Sequence, residues 1–211
     1  MIKVKTFVVN MMQENCYVVS DESNECVIID CGAFYEEEQV AVGEYIRSNR
    51  LHPIHLIATH GHLDHHFGDS FVFETYGLKP EVAEEDFSLM QHLNRQAETF
   101  YGFTLEGTYP DATPLTPEVT FGNHVFTVLE TPGHSKGSVC FYCKEENLLF
   151  TGDTLFRRSI GRTDFKGGSM MQIIQSLRQI AQLADDTDIL PGHGPASTIG
   201  DELANNPFLE R

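Results

Sequence analysis

Basic residues are scarce in this chain. Its 211 residues hold 14 Lys and Arg against 31 Asp and Glu, a formal net charge of −17. That average field repels DNA and RNA and disfavours docking on anionic membranes. Long apolar runs are missing too, for no stretch approaches the roughly 20 residues that span a bilayer. Residues 1–10 alternate polar and apolar side chains, so they read as a strand and not as a signal peptide. Cysteine is sparse and odd in number, at Cys16, Cys26, Cys31, Cys140 and Cys143. With no export signal, this usage points to reduced thiols in a cytoplasmic protein. Cys140 and Cys143 have C-x-x-C spacing, but they share one apolar strand-like run. On a strand, positions three apart face opposite sides, so the pair reads as two strand residues and not as a redox or zinc motif. Low-complexity tracts and repeats of fixed period are also absent.

What is present is ordinary globular composition, 41% hydrophobic and 21% charged. The length suits one domain with a real core, expected over 1–211. Strands are expected at 2–9, 16–20 and 26–30, then a helix over 36–50. A strand opens at Pro53 and ends at Thr59. Helices follow over 64–76, stopped by Gly77, and over 84–100. Residues 101–117 read as an irregular connection. Strands return at 118–121, 124–130, 138–143 and 147–151. A helix over 169–184 carries Ile173, Ile174, Leu177, Ile180 and Leu183 on one face. A short strand at 188–190 and a tail helix after Asp201 complete the chain. The pattern is two similar halves, each with several strands and an outer helix. Two sheets packed together with helices outside would bury both sets of strands.

The most informative string is Thr59-His60-Gly61-His62-Leu63-Asp64-His65, directly after the apolar run 54–58. Imidazole and carboxylate suit zinc and related first-row metals. Four ligands so close in sequence cannot all reach one ion comfortably, so the spacing suggests two adjacent ions sharing one loop. Three further strand ends carry a candidate ligand beside a turn-forming glycine: Pro132-Gly133-His134, Gly152-Asp153 and Pro191-Gly192-His193-Gly194. If these ends lie at one edge, the candidate set is His60, His62, Asp64, His65, His134, Asp153 and His193. The remaining histidines, His52, His55, His66, His92 and His124, lack that context and read as surface or packing residues.

These strings resemble the metallo-β-lactamase superfamily, whose pattern is H-x-H-x-D-H followed by a later His, Asp and His. Within it, the chain is similar to glyoxalase II-like (hydroxyacylglutathione hydrolase-like) enzymes, through Thr131–His134, Thr151–Phe156 and Pro191–Gly194 as well. Asp30-Cys31-Gly32 also matches the family's early Asp-x-Gly turn. The resemblance covers essentially the whole chain and implies an α/β fold, a four-layer αββα sandwich. It implies two divalent metal ions, zinc foremost, with iron or manganese also compatible. His60, His62 and His134 would hold one, and Asp64, His65 and His193 the other. Asp153 would bridge them together with a water or hydroxide, and Asp64 would also steer protons there. Such a pair makes hydroxide available near neutral pH for attack on an ester or thioester carbonyl. Asp30 has two readings, a partner that orients a ligand or a cap in a tight turn.

The stretch 156–166 follows Asp153 and holds four of the 14 basic residues. A cationic loop there can attract a carboxylate-bearing substrate, with Arg162 as the candidate contact. Alternatively, Arg162 and Asp164 brace the loop by an ion pair. The resemblance implies a small-molecule thioester substrate of the hydroxyacyl-glutathione kind. The long family members add a C-terminal helical domain that helps bind glutathione, whereas 18 residues follow His193 here. A mononuclear-iron persulfide dioxygenase on the same fold is the main rival, supported by Gly161–Phe165 and opposed by Pro191-Gly192-His193-Gly194. A lactonase is the lesser one. The sequence assigns no oligomeric state.

Overall fold

The inner strands are buried almost throughout, as at Glu14–Ser20, and a clean alternation of buried and exposed side chains marks the outer strand Glu118–Phe121. The structure, a computed structural model, describes residues 1–210. Strands β1 (Lys3–Val9), β2 (Glu14–Ser20) and β3 (Glu25–Ile29) form an antiparallel meander. Helix α1 (Glu36–Ser48) then crosses over to β4 (His52–Ile57), which pairs parallel with β3. Helix α2 (Asp69–Tyr76) leads to β5 (Pro80–Val82), and short helices α3 (Phe87–Met90) and α4 (Leu93–Gln96) precede β6 (Thr113–Pro114). The first sheet has the order β1-β2-β3-β4-β5-β6.

The second half repeats the plan. Strands β7 (Glu118–Phe121), β8 (His124–Glu130), β9 (Val139–Cys143) and β10 (Leu148–Gly152) run antiparallel. A two-stranded ribbon follows, β11 (Leu155–Phe156) with β12 (Ser159–Ile160). Helix α5 (Met170–Ile180) crosses over to β13 (Asp188–Pro191), parallel to β10. Strand β14 (Ser197–Thr198) and helix α6 (Ile199–Asn205) close the order β14-β13-β10-β9-β8-β7.

Each sheet is apolar on both faces, which forces four layers. Between the sheets, Tyr17, Val19, Val27 and Ile29 meet Phe121, Phe126, Phe141 and Phe150. Outside the first sheet, Val18, Ile28 and Leu56 pack against Val42 and Ile46 of α1 and Val72 of α2. Outside the second, Leu149 and Ile189 pack against Ile173, Leu177 and Ile180 of α5 and Ile199 of α6. This is the αββα sandwich. Cys140 sits in the outer cluster and Cys143 in the inner one, so the C-x-x-C pair does face opposite sides of its strand. All five cysteines are free and buried. None of the described helices is long and apolar enough to cross a membrane.

Two expected helices are interrupted. The stretch 64–76 is a 3-10 turn at Leu63–His65 and then α2, because the chain detours at Gly68 to pack on the loop after β3. The Gly68 amide donates to the Cys31 carbonyl at 2.8 Å, and a Cβ there would meet Cys31 Sγ at 2.6 Å. Gly77 does stop α2, with φ +73°. The stretch 84–100 is not one helix but a 3-10 turn, α3, α4 and a π-helical turn at Ala97–Tyr101. Buried polar side chains there, Asp86 and Gln96, hold other loops, and the backbone breaks to aim them. The expected irregular connection over 101–117 contains the edge strand β6, and the ribbon β11–β12 and edge strand β14 were equally invisible to hydrophobic patterning.

Candidate metal centre

Strands β4, β8, β10 and β13 end at the same edge of the sandwich, and their following turns bring all seven candidate side chains together. His60, His62 and His134 place one ring nitrogen each within 4.8 Å of one another. Asp64, His65 and His193 form a second such group, and His60, His65 and Asp153 a third. His62 Nδ1 and His134 Nε2 face each other at 2.8 Å. Asp153 stands between the groups. Its Oδ2 lies 3.5 Å from His134 Nε2, and its Oδ1 lies 3.4 Å from His65 Nε2 and 3.6 Å from His193 Nε2. Asp64 Oδ2 is 3.3 Å from His193 Nε2.

The backbone permits this crowding at a few positions. Gly152 takes φ +46°, and any Cβ there would collide with Thr59 Oγ1. The end of β10 thereby lies flat against the end of β4, and Asp153 enters the histidine cluster. The opposite ring nitrogens of His134, His193 and His60 are hydrogen-bonded, whereas that of His65 abuts a carboxylate without forming a hydrogen bond. His134 Nδ1 donates to the Arg162 carbonyl at 2.8 Å and His193 Nδ1 to the Met12 carbonyl at 3.1 Å. His60 Nδ1 is 3.0 Å from Thr59 Oγ1, and His65 Nδ1 is 3.1 Å from Asp30 Oδ2. Those contacts fix which nitrogen faces inward.

Charge separates the two groups. Burial first, then the neighbouring imidazoles, push His60 well below its ordinary pKa. Burial and His134 bring His62 down to about 4. Both rings are therefore neutral donors near pH 7. Burial opposes protonation of His65 as well, but Asp30, Asp153 and Asp64 overcome it and raise its pKa well above normal. His193 is raised likewise, burial being outweighed by its hydrogen bond to Asp64 and the charge of Asp153. Burial disfavours the ionised form of Asp153, yet the adjacent His65 holds its pKa well below the usual carboxylate range.

A cation site leaves a signature in the protein atoms. His60 Nε2, His65 Nε2 and Asp153 Oδ1 are buried and have no hydrogen-bond partner. Buried polar atoms are otherwise nearly always satisfied. Several orphans converging on one space, all of ligand chemistry, fit divalent metal ions.

Asp30 combines its two readings. It sits in a tight turn with φ +52°, while its carboxylate accepts from the Thr59 amide and hydroxyl, both at 2.7 Å, and abuts His65. Arg162 is braced. Its guanidinium makes two 2.7 Å contacts with Asp164 and lies 4.0 Å over the Phe165 ring. His66 is buried between Asp69 Oδ2 at 2.7 Å and the His60 carbonyl at 2.8 Å, supporting the ligand loop without facing its interior. His124 lies between Asp21 and Glu146, His55 against Glu81, and His92 against the Ser88 carbonyl.

Sequence reasoning missed several supports. Asp86 is buried and accepts from the Gly61 amide at 2.9 Å, the Ser135 hydroxyl at 2.5 Å and the Gly137 amide at 2.8 Å. It thus ties the loop after β4 to the loop after β8. Asn15 donates to the carbonyls of Pro191 and Gly194, both at 2.9 Å, and Tyr17 donates to Pro191 at 2.6 Å. Glu14 is fully buried behind His65, and burial raises its pKa well above the ordinary range. The one available signal was a Glu and an Asn opening an otherwise apolar strand.

This arrangement of sandwich and edge cluster defines a class of metal-dependent enzymes, and the comparisons agree. The Metallo-beta-lactamase superfamily pattern matches residues 9–193, so the chain belongs to that superfamily. It is 38% identical over 217 residues to an uncharacterized protein of Mycobacterium leprae, covering 97% of each chain. It is 34% identical to hydroxyacylglutathione hydrolase GloC of Haemophilus influenzae, covering 99% of this chain and 98% of that one. Among solved structures, BLEG-1 B3 metallo-beta-lactamase superposes with a TM-score of 0.89 at 32% identity, over 99% of this chain and 100% of that one. TTHA1623 in a di-iron-bound form superposes with a TM-score of 0.85 at 32% identity, over 98% and 100%.

Proposed function

We propose that this chain is a binuclear metal-dependent hydrolase that cleaves a thioester of the hydroxyacyl-glutathione kind. The observation that carries the reading is Asp153, whose two oxygens face the two groups of donors. His60, His62 and His134 would hold one cation, Asp64, His65 and His193 the other, and Asp153 would touch both. When bound, such a pair supplies an acidified water as nucleophile and polarises the substrate carbonyl. The protein's own part is positional. Thr59, Asp30 and the Met12 and Arg162 carbonyls aim the imidazoles. Asp64, hydrogen-bonded to His193, is the carboxylate we assign to receive the proton of the attacking water. No Ser or Cys nucleophile is required, and the buried Cys140 and Cys143 thiols, both pushed by burial up to about 11, are poorly suited to be one.

The thioester specificity is supported by near-full-length similarity to GloC. Zinc is the metal we favour on donor chemistry, and iron and manganese suit the same imidazole–carboxylate set. The free, buried cysteines support a reducing, cytoplasmic setting. Single-domain organisation over 1–211 is part of the same proposal.

The test is elemental analysis of purified protein together with thiol release from S-lactoylglutathione. Two divalent ions per chain, and turnover abolished by chelation and restored by metal, are expected. One iron per chain with oxygen uptake on glutathione persulfide would replace the hydrolase by a dioxygenase. Cleavage of lactones alone would keep the chemistry and change the substrate.

A further inference from the structure

A cavity of about 530 Å³ opens beside the metal centre, with His62 in its wall. Its other side is built by α3, α4 and the loops after β8 and β12. Arg95, Lys136 and Lys166 line it, three of the chain's 14 basic residues in one pocket of a chain with net charge −17. None of the three is paired with a carboxylate among the described residues, in contrast to Arg162, whose guanidinium is occupied by Asp164. Two carboxylates also reach the pocket. Asp86 is spent on Gly61, Ser135 and Gly137, and Glu85 is exposed. Leu89, Phe100 and Phe165 supply an apolar wall.

A pocket with unpaired cations, an apolar wall and one side chain shared with the reaction centre suits one half of a cleaved molecule. We propose that it holds the thiol half of the substrate, and that this thiol carries carboxylates read by Arg95, Lys136 and Lys166. The proposal rests on the hydrolase reading above and deepens it. It also relocates substrate recognition from Arg162 to three cations, one on α4 and two on separate loops. Because those side chains are exposed, each contact is modest and screened by salt. Discrimination comes from their sum and from the field they impose on an otherwise repulsive acidic surface.

The experiment compares S-lactoylglutathione with the same thioester whose glutathione carboxylates are blocked as ethyl esters. The enzymes are the metal-loaded wild type, Arg95→Gln, Lys136→Gln, Lys166→Gln and the triple variant. Binding of the uncleavable S-methylglutathione is measured in parallel by calorimetry, with metal content and far-ultraviolet circular dichroism as controls. Each single change should weaken S-methylglutathione binding and raise KM for the charged thioester by about threefold, in line with exposed ion pairs. The triple change should do so by tenfold or more, chiefly in KM and not in kcat, and the penalty should shrink in high salt. The blocked ester should show little of this penalty. Equal treatment of charged and blocked substrates by wild type, or equal losses on both in the triple variant, would overturn the proposal while leaving thioester hydrolysis standing. Cation-dependent binding of S-methylglutathione without turnover of any thioester would do the reverse, keeping the pocket and refuting the hydrolase.

Discussion

Two halves of the centre face each other across Asp153, and they are made of different material. One is all imidazole, His60, His62 and His134, with His60 and His62 kept neutral by burial and mutual crowding. The other mixes carboxylate with imidazole, and Asp64, Asp30 and Asp153 raise the pKa of His65. The supports differ accordingly. The imidazole half is tied down by the Arg162 carbonyl and by Asp86, which bonds to backbone and hydroxyl groups on both loops. The carboxylate half leans on Asp30 and on the N-terminal hairpin, through Met12, Asn15 and the buried Glu14. Each half nonetheless draws ligands from both sheets. The centre therefore exists only when the two sheets are docked, which couples metal binding to the sandwich itself.

The harshest way to break this comparison is to remove the side chain common to both halves. Asp153→Ala should lose both bound metals and depress turnover by about a thousandfold or more, the scale seen when a central catalytic group is deleted. Elemental analysis and steady-state kinetics check it together. Near-wild-type activity with two metals retained would show that the halves do not meet at Asp153.

A finer cut separates the halves through their supports. Asp86→Asn keeps the size of the side chain but turns an amide donor toward groups that themselves donate. It should weaken the tighter or looser of two metal affinities, but only one, by about tenfold. Asp30→Asn should weaken the other by about 10- to 100-fold, since it stands directly behind the His65 ring, and the first to a smaller extent, through Thr59 and His60. A chelator-competition titration resolves the two affinities. If both variants weaken both sites equally, the supports are shared and the halves are not independent.

Much of this centre was legible in residue types alone. H-x-H-x-D-H after an apolar run, and single His or Asp residues after later strands, name all seven converging side chains, because His and Asp are common ligand types and the ends of buried strands follow apolar residues. The sandwich was legible for the same reason, since doubly apolar strands need two covered faces. The supports were not. Asp86 and Gln96 sit in a stretch whose composition favours a continuous helix, and only tertiary hydrogen bonds explain why it breaks. Glu14 and Asn15 sit within a strand otherwise rich in buried residues, and what they reach, Gly32 and the carbonyls around His193, lies 18 to 179 residues away. Short edge strands such as β6 and β14 carry too few residues for any period to show.

The smallest effect is expected at Arg162, and it sharpens the comparison by separating main chain from side chain. Its carbonyl receives the His134 Nδ1 proton and so belongs to the imidazole half. Its guanidinium belongs to the surface, 58% exposed and paired with Asp164, itself 66% exposed. Arg162→Ala removes only the second. Exposed ion pairs contribute about 0–1 kcal/mol, so stability should fall by no more than about 1 kcal/mol and KM should change less than about threefold. Both metals should stay bound, since the loop keeps its carbonyl and Phe165 keeps its edge contact with the His62 ring at 5.4 Å. Thermal unfolding and KM for S-lactoylglutathione read the outcome. A KM raised tenfold or more with stability intact would mean that the guanidinium leaves Asp164 to hold the substrate. The cationic loop after Asp153 would then be part of recognition alongside Arg95, Lys136 and Lys166, instead of the brace that its geometry describes.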